Sequence, residues 1–236
     1  MAEWFQQWFG EEYLQLYPHR DAGEAARLAA LVAARVPLGA GSRILDVGCG
    51  PGRHLQAFEA LGLHPIGLDL SATLLARAHQ MAQAPLIRAD MRYLPIRPAS
   101  CDLVVNLFTS FGYFGTDAEH GAAIGEMASA LRRGGWLVLD FLNAPAVAAN
   151  LVPEEVTLLG HTKVDIRRQI DDGRVVKTIR TEDGRTFVER VRLFRQSELA
   201  GMISQAGLIL RSTAGDYEGA VQTDASPRLI LFAERM

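Results

Sequence analysis

Lysine is nearly missing from this chain. Of its 24 basic residues only Lys163 and Lys177 are lysines; the arginines that make up the rest are scattered among 27 acids, and the net charge is -3. A protein that grips nucleic acid shows a positive stripe, because its affinity comes largely from neutralised phosphates. No such stripe is present, so the expected partner is a small polar or zwitterionic molecule. Cysteine is scarce too. Cys49 and Cys101 cannot build a disulfide framework or a metal cluster alone, which suits a reducing cytoplasm and predicts no metal site. Long hydrophobic runs are lacking: no apolar stretch approaches the ~20 residues that span a bilayer. The N-terminus, with Glu3, Glu11 and Glu12, does not show the basic-then-apolar pattern of a signal peptide. What remains is ordinary for a globular protein, 49% hydrophobic and 22% charged over 236 residues. At roughly 100–200 residues per domain, this length is one large domain or one domain with an insertion.

Periodicity divides the chain. Phe5, Trp8, Phe9, Tyr13, Leu16 and Tyr17 recur at helical spacing and predict one aromatic-striped helix ended by Pro18. A second helix is expected from Ala22 to Val36, stopped by Pro37. Alternation follows: strand Arg43–Val47, glycine loop Gly48–Gly52, then a helix carrying Leu55, Phe58 and Leu61. Strand His64–Leu68 ends at Asp69, Ser71 caps the next helix, and strand Leu86–Ala89 ends at Asp90. An apolar strand Leu103–Leu107, a helix behind the Thr116/Glu119 capping box, and strand Trp136–Phe141 after Gly134-Gly135 complete the run. This repetition predicts an α/β fold, a Rossmann-like, mostly parallel sheet with helices on both faces. From Val156 to Arg195 the helical period is lost, and the turn signals Asp171-Asp172-Gly173 and Glu182-Asp183-Gly184 predict an antiparallel insertion of three or four strands. A helix with Ser197 as N-cap and Gly207 as C-cap, and strands near Leu208–Thr213 and Arg228–Glu234, close the chain. Residues 1–150 and 196–236 are thus expected to form one domain, with a helical lid at 1–21 and an insertion at 151–195 over the acceptor site.

The stretch Ile44-Leu45-Asp46-Val47-Gly48-Cys49-Gly50-Pro51-Gly52-Arg53-His54 is the richest in chemistry. A strand running through glycines into a helix aims backbone N–H groups at whatever sits at the strand's end, where open α/β sheets bind their ligands. A dinucleotide site wants a third glycine where Arg53 stands, and Pro51 removes one N–H. Asp46 would also set a carboxylate near a pyrophosphate. The same carboxylate suits a phosphate-free nucleoside with an ammonium group, which describes S-adenosylmethionine. Asp69 is spaced to accept from ribose hydroxyls and Asp90 from an adenine amine, with Leu70 and Met91 as apolar faces for the ring. Three acids at three successive strand ends converge on one edge.

At these residues the chain resembles the class I S-adenosylmethionine-dependent methyltransferases. Asp46-Val47-Gly48-Cys49-Gly50-Pro51-Gly52 looks like their first motif, Asp69 and Ala89-Asp90-Met91 like the next two, and Cys101–Leu107 like the fourth. The resemblance implies a seven-stranded sheet with an antiparallel last strand. More loosely, Asn106–Phe114 is similar to small-molecule methyltransferases, including some that dimethylate amino sugars. That likeness implies that backbone at Asn106 and Leu107 holds the methionine end of the cofactor, that Tyr17 or Arg20 closes over it, and that Arg20 pairs with its carboxylate. Cys49 reads as a small packed thiol in the glycine loop, and the motifs of nucleobase-methylating enzymes are absent.

The expected activity is methyl transfer to the nitrogen or oxygen of a small molecule by in-line displacement, leaving S-adenosylhomocysteine. A base is needed only for a protonated acceptor; the candidates are His19 and Tyr113, then His120 and Tyr217. The alternatives are an NAD(P)-dependent reductase and a non-catalytic cofactor-binding module. Neither nucleic acid nor membrane is expected as a partner, and the oligomeric state stays open between monomer and homodimer.

Overall fold

The computed structural model describes residues 3–16, 22–159 and 162–236. The chain begins with α1 (Trp4–Trp8), α2 (Glu11–Leu16) and α3 (Ala22–Arg35). Alternation follows through β1 (Arg43–Val47), α4 (Arg53–Ala60), β2 (His64–Asp69), α5 (Ala72–Met81), β3 (Leu86–Arg88), β4 (Cys101–Asn106), α6 (Asp117–Ala130) and β5 (Leu131–Leu142). After α7 (Ala144–Asn150) come β6 (Glu154–Leu159), β7 (Thr162–Asp171), β8 (Arg174–Thr181) and β9 (Thr186–Arg192). The last elements are α8 (Gln196–Gln205), β10 (Leu208–Ala214) and β11 (Arg228–Arg235).

Seven strands form one sheet in the order β10-β11-β5-β4-β1-β2-β3, and β11 runs antiparallel to both of its neighbours. From β1 the chain steps outward to β2 and β3, then returns to place β4 on the other flank. The carboxyl ends of β1 and β4 therefore frame the crevice where such sheets bind ligands. Strand residues alternate between two buried layers: Leu45, Val104 and Leu139 pack with Ile124 and Met127 of α6, while Ile44, Val105 and Val138 pack with Leu28 and Val32 of α3.

The second sheet, β6-β7-β8-β9, is antiparallel throughout. Val164, Ile166 and Ile179 on one of its faces bury against Trp8, Tyr13 and Leu16 of the first two helices. Burial of each such side chain stabilises by roughly 1.5–3 kcal/mol, so these helices are packed into the body and not laid loosely upon it.

Four local expectations change. The aromatic stripe forms two helices, because Phe9 leaves helical geometry (ψ 68°) and Gly10 turns the chain back on Trp8. That break aims Phe5 at the main core and Tyr13 at the second sheet. β5 begins at Leu131 and not at Trp136, since Leu131 already pairs with Cys101 and the Gly134-Gly135 pair makes a bulge within the strand. The N-cap of α8 is Arg195, not Ser197; Glu198 closes on the Arg195 N–H at 2.7 Å. Finally, α7 was not expected. Its signals, Asn143 followed by Pro145 in the first turn, are local and short.

Candidate functional site

β1 ends at Val47 and the backbone turns at once. Gly48 takes φ +78°, and a Cβ there would lie 2.7 Å from Ser110 Cβ, so a side chain is excluded twice, by conformation and by space. The N–H groups of Gly48 and Cys49 donate to the Leu68 carbonyl at 2.7 and 3.0 Å and fold the loop over the end of β2. Gly50 N–H and Ser71 N–H then donate to the two oxygens of Asp69, each at 2.8 Å. The carboxylate is thereby oriented while each oxygen keeps acceptor capacity for a ligand hydroxyl. Burial outweighs these backbone hydrogen bonds and holds Asp69 above the usual carboxylate range.

Asp46 lies behind the loop, 1% exposed, and among the described residues neither of its oxygens has a hydrogen-bond partner. Burial, reinforced by repulsion from Asp69 and only partly offset by Arg53, pushes it up to about 8. A buried carboxyl in this state is costly, and a ligand that brings positive charge to this edge relieves the cost. The donor set thus fits S-adenosylmethionine: a cation near Asp46, vicinal hydroxyls at Asp69.

A cavity of about 750 Å3 opens at this edge. One wall carries Gly48, Gly50, Asp69, Leu70, Asp90 and Met91; the opposite side is built by the first two helices, the Tyr113 segment and the second sheet. Tyr113 is ringed by Trp4 (5.2 Å) and Phe9 (5.4 Å). The chain between β4 and this wall is strained: Phe108 and Thr109 sit at φ +54° and +65°, conformations that cost about 1–3 kcal/mol each. Asp140, fully buried on β5, accepts from Phe108 N–H (2.9 Å), Tyr217 Oη (3.0 Å) and Arg228 Nε (2.8 Å), while Arg228 Nη2 reaches Thr109 Oγ1 at 3.0 Å. These partners are far apart in the chain, and no local motif marks them.

Arg92 was also missed. It meets Asp90 with Nε and Nη2 (3.1 and 2.7 Å), Glu3 with Nη2 (2.7 Å) and Glu119 with Nη1 (2.8 Å), and its guanidinium lies 4.7 Å from the Phe114 ring centroid. Burial alone would raise Asp90, but hydrogen bonds from the Arg92 side chain and N–H, with its charge, bring the carboxyl below its ordinary range. Arg92 therefore ties the chain entering α1 to the end of β3 and the start of α6.

Of the candidate cofactor residues, Gly48, Gly50, Asp69, Leu70, Asp90 and Met91 meet on the cavity wall, whereas Asp46, Cys49, Gly52, Asn106 and Leu107 do not line it. Cys49 packs with Leu55, Ala82 and Ala84, and burial pushes its thiol up. Gly52 opens α4 against Ala78. Asn106 is fully buried and its Nδ2 donates to Val47 O at 2.7 Å, bracing β4 against β1; Leu107 packs in the core. Tyr17, His19 and Arg20 lie outside the described residues. Tyr113 lines the cavity with its hydroxyl donating to Thr109 O. His120 is fully buried: Nε2 accepts from Phe114 N–H, Nδ1 bonds Thr116 O at 2.8 Å, and burial pulls it down to about 4. Tyr217 is held by Asp140 and raised, by burial first, so neither His120 nor Tyr217 is placed as a base. No group of described residues has the makings of a metal site.

Comparison with known proteins adds a family. Residues 44–135 match the model of a methyltransferase domain. The chain is 30% identical over 211 residues, 84% of its length and 87% of the relative's, to the dTDP-3-amino-3,4,6-trideoxy-alpha-D-glucopyranose N,N-dimethyltransferase of Streptomyces venezuelae. It is 36% identical over 56% of its length, and 54% of the relative's, to the dTDP-3-amino-3,6-dideoxy-alpha-D-glucopyranose N,N-dimethyltransferase of Streptomyces fradiae. Among solved structures, an amino pentose methyltransferase from Micromonospora echinaspora with S-adenosylmethionine bound superposes with TM-score 0.69 at 27% identity, covering 95% of this chain and 96% of that one.

Proposed function

Because the chain belongs to the S-adenosylmethionine-dependent methyltransferases that act on small molecules, we propose that its acceptor atom is the amino nitrogen of a sugar-like molecule. The reductase alternative falls with the family, and with it the non-catalytic module. The cofactor supplies a methyl group already activated on a sulfonium. The protein's contribution is to hold acceptor and donor collinear and dry.

The observation that carries the reading is a single cavity with strand-end carboxylates on one wall and aromatic rings with a polar sheet on the other. In this reading Asp69 accepts from the ribose, Leu70 and Met91 enclose the adenine, and Asp90, held by Arg92, marks its amine edge. Asp46 acts on the ligand's positive charge from behind the glycine loop. The first helices serve as lid and the sheet of residues 151–195 as roof over the acceptor. Tyr113, by donating to Thr109 O, keeps an oxygen with lone pairs toward the cavity. The names of the relatives support an amine on a sugar ring. A cytoplasmic location fits the two free, buried cysteines, and among the described residues no helix is long and apolar enough to cross a membrane. No nucleic acid or membrane partner is proposed.

The test is S-adenosylhomocysteine release against a panel of amino sugars, free and nucleotide-linked, beside hydroxy and carboxylic acids of similar size. N-methylated product from an amino sugar is expected. Turnover confined to oxygen acceptors overturns the nitrogen assignment.

A further inference from the structure

Two adjoining residues just past the end of β4 adopt a backbone form that neither side chain favours. Phe108 and Thr109 both have positive φ, and for a β-branched residue such as threonine this is a genuine outlier. One residue of the next strand holds both. The Asp140 carboxylate accepts the Phe108 N–H at 2.9 Å, and the Asp140 main-chain carbonyl accepts the Thr109 N–H at 3.2 Å. Arg228, at the start of β11, divides its guanidinium: Nε donates to Asp140 Oδ1 at 2.8 Å and Nη2 to Thr109 Oγ1 at 3.0 Å. Tyr217 Oη adds a third donor to the carboxylate at 3.0 Å.

The turn so held has a contact on each side of the cavity. Toward the glycine loop, Ser110 Oγ shares its proton between Gly48 O at 3.0 Å and Leu107 O at 2.9 Å. Toward the aromatic wall, Thr109 O accepts from the Tyr113 hydroxyl. Phe108, Thr109, Ser110, Tyr113 and Arg228 line the cavity, and Asp140, fully buried, stands behind them. Stability alone does not call for an ion pair here. A buried pair commonly contributes no more than apolar side chains of the same volume, so Asp140 and Arg228 are better accounted for by what they orient. The planar fork of an arginine serves two acceptors in fixed directions, which a point charge cannot do.

We propose that Asp140 and Arg228 are positioning residues for methyl transfer: by holding the Phe108–Thr109 turn they fix Tyr113, on the acceptor side, relative to the Gly48 loop, on the cofactor side. In-line displacement needs donor and acceptor collinear, and a misplacement of about 1 Å costs roughly a hundredfold in rate. A loosened turn therefore lowers kcat, while the carboxylates of the cofactor wall keep their own supports, Asp69 its two N–H donors and Asp90 its arginine. The hold on the turn stands on its hydrogen bonds; that it serves the acceptor rests on the proposed placing of Tyr113 beside that molecule.

Three variants of the full chain test it: Thr109→Val, which replaces only the hydroxyl, Thr109→Ser, which keeps it, and Arg228→Lys, which keeps the charge without the fork. Each is assayed with S-adenosylmethionine and the acceptor panel above, titrated with S-adenosylhomocysteine by calorimetry, and followed by hydrogen exchange with mass spectrometry. In T109V and R228K kcat is expected to fall about tenfold or more, with S-adenosylhomocysteine affinity within about twofold of wild type. Residues 107–113 exchange about tenfold faster in both while the strands stay protected, and T109S behaves as wild type. T109V carries the test should R228K fail to fold. Unchanged kcat in T109V and R228K overturns the proposal, as does a loss in T109S equal to that in T109V, or faster exchange spread over the whole sheet. Turnover confined to oxygen acceptors overturns the nitrogen reading and leaves this test intact. If nothing in the panel is methylated, exchange decides: a rise confined to residues 107–113 and absent in T109S upholds the proposal, and unchanged protection overturns it.

Discussion

Replacing Asp46 by asparagine sets stability and cofactor affinity against each other. The carboxyl is 1% exposed and pushed up to about 8 from an ordinary 3.8, mainly by burial. A group whose folded pKa is raised contributes its stability fully below the unfolded value and loses it as pH rises through the folded one. Without ligand, wild type therefore loses up to about 1.4 kcal/mol per pH unit from this one group between about pH 5 and pH 7.5, and the loss levels off above pH 8. For a chain of this size 1 kcal/mol moves Tm by about 2–4 °C, so D46N is expected to gain roughly 3–6 °C on wild type per pH unit over that window. Binding runs the other way. A cationic ligand favours the ionised form, so wild-type affinity for S-adenosylmethionine rises up to about tenfold per pH unit toward pH 8, with uptake of ligand releasing close to one proton. D46N shows neither effect. Thermal melts across pH and calorimetry in buffers of different ionisation enthalpy measure both. Parallel Tm profiles for the two proteins, or wild-type affinity that is flat with pH, would refute the argument that Asp46 is held neutral until a positive ligand arrives.

Asp69→Ala removes an acceptor already oriented by Gly50 and Ser71; charge-assisted hydrogen bonds contribute about 1.5–3 kcal/mol each, so cofactor affinity falls ten- to a hundredfold, and a folded variant with wild-type affinity on calorimetry removes Asp69 from the site. Arg92→Met leaves Glu3, Asp90 and Glu119 facing one another. With partly exposed partners the cost is about 1–3 kcal/mol, seen as a lower Tm and as a rise in KM for the cofactor larger than any fall in kcat. Gly48→Ala meets both the φ +78° backbone and Ser110 Cβ at 2.7 Å, and is expected to cost about 1–3 kcal/mol with loss of binding. Pairing it with Ser110→Gly restores space but not conformation, so the double variant recovers only in part; full recovery would show that strain plays no role.

The cofactor half of this fold was legible because its signals are local. A strand, a glycine loop and a helix fall within ten residues at Ile44–Arg53, and the acids at Asp69 and Asp90 each close a strand of regular alternation. Period and capping chemistry were enough to place them on one edge. The same local reasoning reads Cys49 as a small packed thiol, and its side chain does turn away into a pocket of Leu55 and Ala82 while its N–H serves the loop. It reads the first aromatic stripe as one helix, because helical spacing of the rings does not reveal that they belong to two different cores. His120 looked like a titrating group beside a helix start, and only its three-sided enclosure by Phe111, Phe114 and Phe194 shows why it is not.

The rest of the site rests on pairs that no window along the chain contains. Asp140 and Arg228 are 88 residues apart, Arg92 and Glu3 89 apart, and Trp8 and Glu189 181 apart. A charged residue inside an alternating strand reads as a solvent-facing position until the register of its neighbours is known. Lys177 is placed in the cavity wall only when Arg168 and Glu189 are seen to share its row and to line the cavity with it. That division follows from what each half must recognise. A cofactor shared by a whole family can be met by one compact motif at one strand end. In the proposed reading the acceptor is enclosed by elements that enter the chain separately, the first helices and the second sheet that line the cavity, so its recognition is written across them. Substitutions that alter acceptor choice are therefore expected to fall in β7, β8, β9 and α1, and to leave the Asp46–Gly52 loop untouched.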